Sequence, residues 1–303
     1  MKFSIKRIIL LVLLLIVGFF AISAARNWDI IQRVLLGGLK VYETEAPAVP
    51  IDIKRPAILV FSKTNGFRHE EAIPAANTLF TNMATAQGWG YYQTENGATF
   101  NPEILSRFDA VIFNNVSGDV FTPAQRQALK NFIENGGGFV GIHGAGGDMS
   151  YDWRWYVDHL IGAQFIGHPM NPQFQKATVK IEDKTNPATL DLPDSWARTD
   201  EWYSFEKSAR KPGVDILASL DESTYSPKGI FGQDLAMGKD HPIVWSHCSG
   251  KGRVLYSAMG HTASSYSEPE YRKLLSGAAR WALKLDGTGC GDADIPVAPV
   301  EAK

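Results

Sequence analysis

The stretch Gly136-Gly137-Gly138-Phe139-Val140-Gly141-Ile142-His143-Gly144-Ala145 carries the most information about the fold of this 303-residue chain. Its apolar centre predicts a buried strand, and the glycines around His143 allow the tight strand-to-turn junction of a nucleophile elbow. His143 occupies the nucleophile position, where an imidazole can ligate a metal, accept a proton or donate a hydrogen bond. The alternative is that the glycines only permit close packing around a hydrogen-bonded histidine.

Strands and helices alternate around this segment. Residues 57–62 and 109–113 are short, nearly continuous apolar runs, as expected of strands covered on both faces. Thr122 and Gln125 form a capping box with Pro123 at the first helical position, so a helix follows the second run. The pattern predicts an α/β fold, with a mostly parallel sheet and helices on both faces in three flavodoxin-like layers. Ligands of such sheets bind at the carboxyl ends of the strands.

After about residue 172 the pattern shifts toward strands, with residues 177–181 and 253–256 as the clearest runs. A second capping box, Ser267 with Glu270, predicts the start of a last amphipathic helix. Beyond Asp286 the chain is rich in glycine and proline, and we expect no regular structure there.

The composition is that of a globular protein, with 45% hydrophobic and 20% charged residues. A formal net charge of −2 gives no basic footprint for nucleic acid. Cys248 and Cys290 are the only cysteines, too few for a disulfide scaffold. A bridge between them is compatible with an oxidising compartment, but the sequence does not require it.

The N-terminus predicts a membrane anchor. Lys2, Lys6 and Arg7 precede an uncharged run over residues 8–25, which as a helix spans roughly 27 Å, close to the hydrocarbon thickness of a bilayer. We interpret residues 1–26 as an uncleaved signal anchor, a transmembrane helix that leaves the domain on the extracytoplasmic (periplasmic) side. Secretion after signal cleavage is the alternative.

The rest of the chain divides into three parts. Residues 27–54 read as a linker, in which Trp28, Ile31, Leu35 and Leu39 have the spacing of a short helix and an extended Pro-containing stretch follows. Residues 55–286 form one α/β domain, and residues 287–303 form a C-terminal tail.

Five motifs in this domain resemble the ThuA-like (trehalose utilisation) family, in the right order over about residues 56–285. The resemblance implies a class I glutamine amidotransferase-like fold without that fold's cysteine nucleophile, and a role in sugar metabolism. The motifs are Thr64-Asn65-Gly66-Phe67-Arg68-His69-Glu70, the glycine-rich run ending at His143, Gly162-Ala163-Gln164-Phe165-Ile166-Gly167-His168-Pro169, Asp200-Glu201-Trp202-Tyr203 and Gly260-His261-Thr262.

The same motifs concentrate titratable groups after strands, so we predict one catalytic site at a single edge of the sheet. Aromatic neighbours are expected to raise the pKa of Glu201 and make it a usable acid or base. The predicted catalytic residues are His69, His143, His168, Glu201 and His261. The predicted substrate-binding residues, whose rings and polar groups suit a sugar, are Asn65, Phe67, Arg68, Trp153, Trp202 and Tyr203.

Four functions compete at this stage. The first is an enzyme that acts on a carbohydrate, with a keto-sugar as one option, by proton transfer from the His/Glu group. The second is a hydrolase or isomerase in which these residues ligate a divalent metal, although no local zinc motif is present. The third is a non-catalytic sugar-binding or partner-docking domain. A working glutaminase is disfavoured, because His143 replaces the nucleophile and Cys248 precedes a turn between strands.

Overall fold

The computed structural model describes residues 5–149 and 151–290. Helix α1, Ile5–Arg26, is followed by the short helix α2, Trp28–Ile30, and a π-helical turn, Ile31–Leu35. The window Ile9–Arg26 has a mean hydropathy of 2.6 and none of it is buried. The helix is therefore long and apolar enough to cross a membrane, and a signal sequence would have the same properties.

In the described part of the chain, eleven strands form two sheets. In chain order they are β1 Ala57–Phe61, β2 Gly90–Thr94, β3 Ala110–Asn114, β4 Gly138–Ile142, β5 Phe165–Gly167, β6 Phe174–Ile181, β7 Ser195–Glu201, β8 Ser204–Phe205, β9 Val214–Asp221, β10 Pro242–Ser249 and β11 Gly252–Ser257. The large sheet has the order β2-β1-β3-β4-β11-β10-β9-β6-β7, and β5 pairs with β8 in the small one. All residues of β1, β3 and β4 are buried, which means that both faces of this part of the sheet are covered.

The large sheet has a parallel and an antiparallel half. Strands β2, β1, β3, β4 and β11 run parallel, as the sequence predicts. From β11 onward each strand is antiparallel to its neighbour, so β10 and β6 are reversed and β9 and β7 point the same way as β11. The carboxyl end of β7 therefore points in the same direction as those of β1, β4 and β11.

Helices connect and cover the strands. The longer ones are α3 Ala72–Gln87, α5 Pro123–Glu134 and α6 Pro269–Ala282, and α4 is the single turn Pro102–Leu105. The capping box of Thr122 and Gln125 is present at α5 as predicted. The second predicted capping box is wrong: Glu268 is the N-cap residue of α6 and its side chain makes no cap. The hydroxyl of Ser267 bonds instead to the carbonyl of Ser264 in a preceding 3₁₀ turn.

After helix α2 and the π-helical turn, residues 36–54 of the predicted linker have no regular structure but are attached to the domain. Lys63 donates to the carbonyl of Val41 at 2.7 Å and forms an ion pair with Glu43. Gln125 donates to the carbonyl of Glu43 at 2.7 Å, and Val49 is buried in the core. This segment is therefore part of the folded domain. In the predicted tail, residues 291–303 lie outside the described part of the chain.

A disulfide joins Cys248 in β10 to Cys290, across 42 residues of sequence. The structure thereby answers the question that the sequence leaves open. It also removes Cys248 as a thiol nucleophile, because neither cysteine is free.

Candidate active site

Four side chains with metal-ligand chemistry meet at one edge of the sheet. One nitrogen or oxygen atom from each of His69, His143, Glu201 and His261 lies within 4.8 Å of the others. The first three are buried and His261 is partly exposed. His168 approaches from outside this group, with Nδ1 3.2 Å from Oε1 of Glu201. The structure thus brings together all five residues predicted as catalytic.

Coiling of the sheet brings these residues together. His143 follows β4, and Glu201 ends β7, five positions away in the strand order. In a flat sheet those strand ends would lie roughly 24 Å apart, since neighbouring strands are spaced by about 4.8 Å. The observed 3.3 Å between Nε2 of His143 and Oε2 of Glu201 therefore requires a strongly coiled sheet.

His143 has the strained backbone of an elbow residue. Its φ of 44° lies in the left-handed region, which costs a non-glycine residue of order 1 kcal/mol or more. Its Nδ1 lies 2.7 Å from the carbonyl oxygen of Ala258 and donates to it, which directs Nε2 toward the cluster. The ring stacks on Tyr203, with 4.2 Å between centroids. These contacts fix the orientation of the imidazole.

Glu201 is the hub of the cluster. Its Oε2 lies 3.1 Å from Nδ1 of His261 and 3.3 Å from Nε2 of His143, while Gln173 donates to Oε1. Burial alone raises the pKa of Glu201, but the imidazoles of His143 and His261 beside its carboxylate outweigh burial and hold the pKa far below its ordinary value. The expected rise in this pKa is therefore wrong: Glu201 stays a carboxylate, because its imidazole partners matter more than its aromatic neighbours.

His69 completes the group from the loop before α3. It lies three residues before the helix, which starts at Ala72, and therefore does not itself open α3. Burial, and then the neighbouring imidazoles, hold the pKa of His69 well below its ordinary value, so the ring is neutral. Its Nδ1 is buried and has no hydrogen-bond partner among the described residues. The close approach needs glycine at position 144, where a Cβ would sit only 3.0 Å from Cε1 of His69.

Asp200 fastens two of the loops that carry this site. It is fully buried, and its carboxylate accepts from the backbone N–H groups of Glu201, Gly260 and His261 at 2.9, 2.8 and 3.1 Å. Arg198 forms an ion pair with it at 3.0 Å. Asp200 belongs to the motif Asp200-Glu201-Trp202-Tyr203, but the sequence does not indicate that its carboxylate points away from the cluster.

The predicted substrate-binding residues have different positions. Phe67 is 48% exposed, with its ring 5.0 Å from that of His69, and Tyr203 is buried against His143. Asn65 and Trp202 are buried and bond to backbone carbonyls, the former to Val41 and Asp119 and the latter to Gln175.

Two further members of this set lie apart from the cluster. Arg68 pairs with Glu95 through both terminal nitrogens. Trp153 packs against Tyr156 and Arg126. Their predicted role in substrate binding stays a prediction.

Other histidines have structural partners. His247 contacts the carbonyl of His159 through Nε2 at 2.8 Å. His241 lies between Glu222, 2.7 Å from its Nδ1, and the carbonyl of Tyr203, 2.8 Å from its Nε2. Sequence reasoning did not identify Gln173 or Phe174 as site neighbours, since their contacts depend on strand pairing.

The arrangement can hold a cation. A neutral His143 carries its proton on Nδ1, where it bonds to the Ala258 carbonyl. Its Nε2 then presents a lone pair to the carboxylate oxygen of Glu201, and a cation between the two atoms would bind both. A proton on Nδ1 of His261 can bond to either acceptor, because this nitrogen lies 3.1 Å from Nε2 of His143 and 3.1 Å from Oε2 of Glu201. A metal ion would use the lone pair of His69 as well. Tetrahedral zinc sites place ligand atoms roughly 3.3 Å apart, close to the distances of 3.1–3.3 Å among the other three residues.

Comparisons of the sequence and of the structure with known proteins point to the same family. The family model ThuA, described as trehalose utilisation, matches residues 57–282. A ThuA-like protein from Bacteroides uniformis ATCC 8492 is 28% identical with a TM-score of 0.67, over 81% of this chain and 98% of that one. Another, from Parabacteroides merdae ATCC 43184, is 16% identical with a TM-score of 0.57, over 80% and 93%, and shows the fold alone. No curated protein is significantly similar in sequence.

Proposed function

The chain belongs to the ThuA (trehalose utilisation) family, and we propose that it is a carbohydrate-active enzyme whose centre is a divalent metal site. The ligands would be His69, His143, Glu201 and His261. The observation that carries this proposal is the convergence of their four ligand atoms within 4.8 Å. Three imidazoles and one carboxylate suit a first-row ion such as Zn²⁺.

The buried state of these groups supports the metal over proton transfer alone. Ligation requires neutral imidazoles and an ionised carboxylate, and burial favours the neutral form of His69. A proton shared between His261, His143 and Glu201 leaves Nδ1 of His69 buried without a partner in the part of the chain that the structure describes. The carbonyl of Ala258 is the outer partner that fixes the His143 tautomer, as is usual for metal-bound histidine.

The metal ligands and His168 would have different roles in the reaction of a sugar substrate. A bound divalent ion supplies a Lewis acid for a sugar carbonyl or hydroxyl oxygen. His168 contacts the carboxylate of Glu201, and its side chain is 24% exposed, so it lies where it can exchange a proton with both substrate and solvent. A keto-sugar is the substrate class that combines an oxygen for the metal with an acidic C–H for a base. The reaction would be an isomerisation or a hydrolysis.

Elemental analysis of the purified full chain tests the metal. We expect about one divalent ion per chain, lost in Glu201→Gln and His143→Ala and kept in the control His159→Gln, since His159 is exposed. Absence of metal after reconstitution with Zn²⁺, Mn²⁺ and Fe²⁺ would contradict the proposal and favour the metal-free His/Glu enzyme. Metal binding without turnover of trehalose or oxidised disaccharides would favour the non-catalytic sugar-binding domain.

We also propose that the domain lies on the extracytoplasmic side of a membrane. The basic residues before the apolar run and the Cys248–Cys290 disulfide support this placement, because disulfides persist in oxidising compartments. An alkaline-phosphatase fusion after residue 60 should be active. An inactive phosphatase with a fluorescent cytoplasmic reporter at the same position would reverse the topology, and full release of the mature chain would indicate signal cleavage.

A further inference from the structure

Among the side chains of the cluster, those of His261 and His168 are the most exposed to solvent. The side chains of His143 and Glu201 are 0% and 2% exposed, and His69 is 5% exposed. The side chains of His261 and His168 are 13% and 24% exposed. A ligand therefore reaches the cluster over these two imidazoles.

Two phenylalanine rings flank this opening. Phe67 is 48% exposed and Phe174 is 40% exposed. Both approach His261, with 6.2 Å between the ring centroids for Phe67 and 4.9 Å for Phe174. Burial of a phenylalanine ring stabilises the folded state, because it removes apolar surface from water. The half-exposed positions of Phe67 and Phe174 beside His261 are therefore not explained by their contribution to stability.

Both rings are attached to well-held backbone. Phe174 is directly opposite Glu201 in the antiparallel pairing of β6 with β7. Side chains of directly opposed residues project from the same face of a sheet, so the Phe174 ring stands on the side of the carboxylate. On the other flank, the hydroxyl of Ser117 donates to the carbonyl of Phe67, and the carbonyl of Ser117 accepts from the N–H of Gly66.

We propose that Phe67 and Phe174 form a platform for the apolar C–H face of a pyranose ring, whose oxygens then point toward His261 and the metal site. The inference rests on the proposed function and deepens it, because it assigns substrate recognition to a cyclic sugar. Aromatic rings bind the flat apolar face of a ligand while a few polar groups fix its orientation. An open-chain polyol carries the same hydroxyls but has no such face.

Binding of defined sugars to the full zinc-loaded chain in detergent tests the platform. The probes are trehalose and methyl α-D-glucopyranoside, with sorbitol as the open-chain comparison, measured by titration calorimetry. We expect Phe67→Ala and Phe174→Ala each to weaken pyranoside binding about tenfold with unchanged zinc content, and Phe174→Tyr to restore most of it. Leu190→Ala is the control, because Leu190 is an apolar side chain of similar exposure, 52%, in the connection after β6, at the opposite end of that strand from Phe174.

The failures of the two proposals have different signatures. Zinc-loaded wild type that binds neither pyranoside, or binds sorbitol equally well, would overturn the platform. Alanine variants that bind within about twofold of wild type would overturn it too. Pyranoside binding that needs both rings, in a protein that takes up no zinc, would leave the platform standing and reject the metal centre.

Discussion

The change Asp200→Asn is expected to weaken metal binding without touching a metal ligand. In the structure Oδ1 accepts from the N–H groups of Glu201 and His261, and Oδ2 accepts from Gly260 and Arg198. An asparagine can place its carbonyl at only one of these positions. Its NH₂ group then faces two donors at the other, whichever way the amide is turned.

The magnitude follows from those four contacts. Hydrogen bonds to a charged group contribute about 1.5–3 kcal/mol each, so the loss of two, offset by relaxation, should lower the free energy of unfolding by about 3 kcal/mol. The segment Gly260–His261 loses one of its two backbone hydrogen bonds to Asp200, and with it part of its attachment to the strand that carries Glu201. Outer partners of metal ligands typically contribute 10–100-fold to metal affinity, and we expect a loss in that range.

Two measurements separate positioning from general destabilisation. Urea denaturation gives the free energy of unfolding, and competition with a zinc-binding dye gives the metal affinity. The control is Asn186→Ala, which removes buried hydrogen bonds to Ala188 and Ser246 outside the cluster and should destabilise without changing zinc affinity. If Asp200→Asn bound zinc within about twofold of the wild type, its role in positioning would be refuted.

Three further perturbations test other parts of the structure. Replacing Cys248 and Cys290 by serine should lower the free energy of unfolding by about 3–4 kcal/mol in the chain-entropy model, and a loss under about 1 kcal/mol in urea would contradict it. A chain starting at residue 28 should melt cooperatively at a higher temperature than one starting at residue 55, because the latter lacks the partners of Lys63; equal melting temperatures would count against this. Burial holds the pKa of His247 below its ordinary value of 6.5, so the unfolded chain takes up the proton first as pH falls. Stability should therefore decrease below about pH 6.5, and less so in His247→Gln; identical pH profiles would exclude this histidine.

The parallel half of the fold could be predicted because its signals are local. The strand before His143 and the capping box at Thr122 depend on residues that are adjacent in sequence. Three site histidines, His69, His143 and His261, each follow a strand of this half. Parallel strands share one carboxyl edge, so their convergence needs no knowledge of the rest of the chain.

The antiparallel half carried weaker signals. Strand β7 reads Ser-Trp-Ala-Arg-Thr-Asp-Glu, and its burial alternates before the last residues turn inward. Such a segment resembles a surface loop until its partner is known. The false capping box at Ser267 has a similar cause: the Ser-x-x-Glu pattern is present, but Pro269 starts the helix two residues later and a 3₁₀ turn takes up the serine.

The role of each site residue depends on register, which no local pattern fixes. Phe174 faces Glu201 only because β6 pairs with β7 in one particular alignment. A slip of one residue would turn either side chain to the opposite face of the sheet. The same alignment lets Asp200 point toward the His261 loop while Glu201 points toward the imidazoles. Two adjacent acids thus have separate tasks, one holding the loops together and the other entering the cluster.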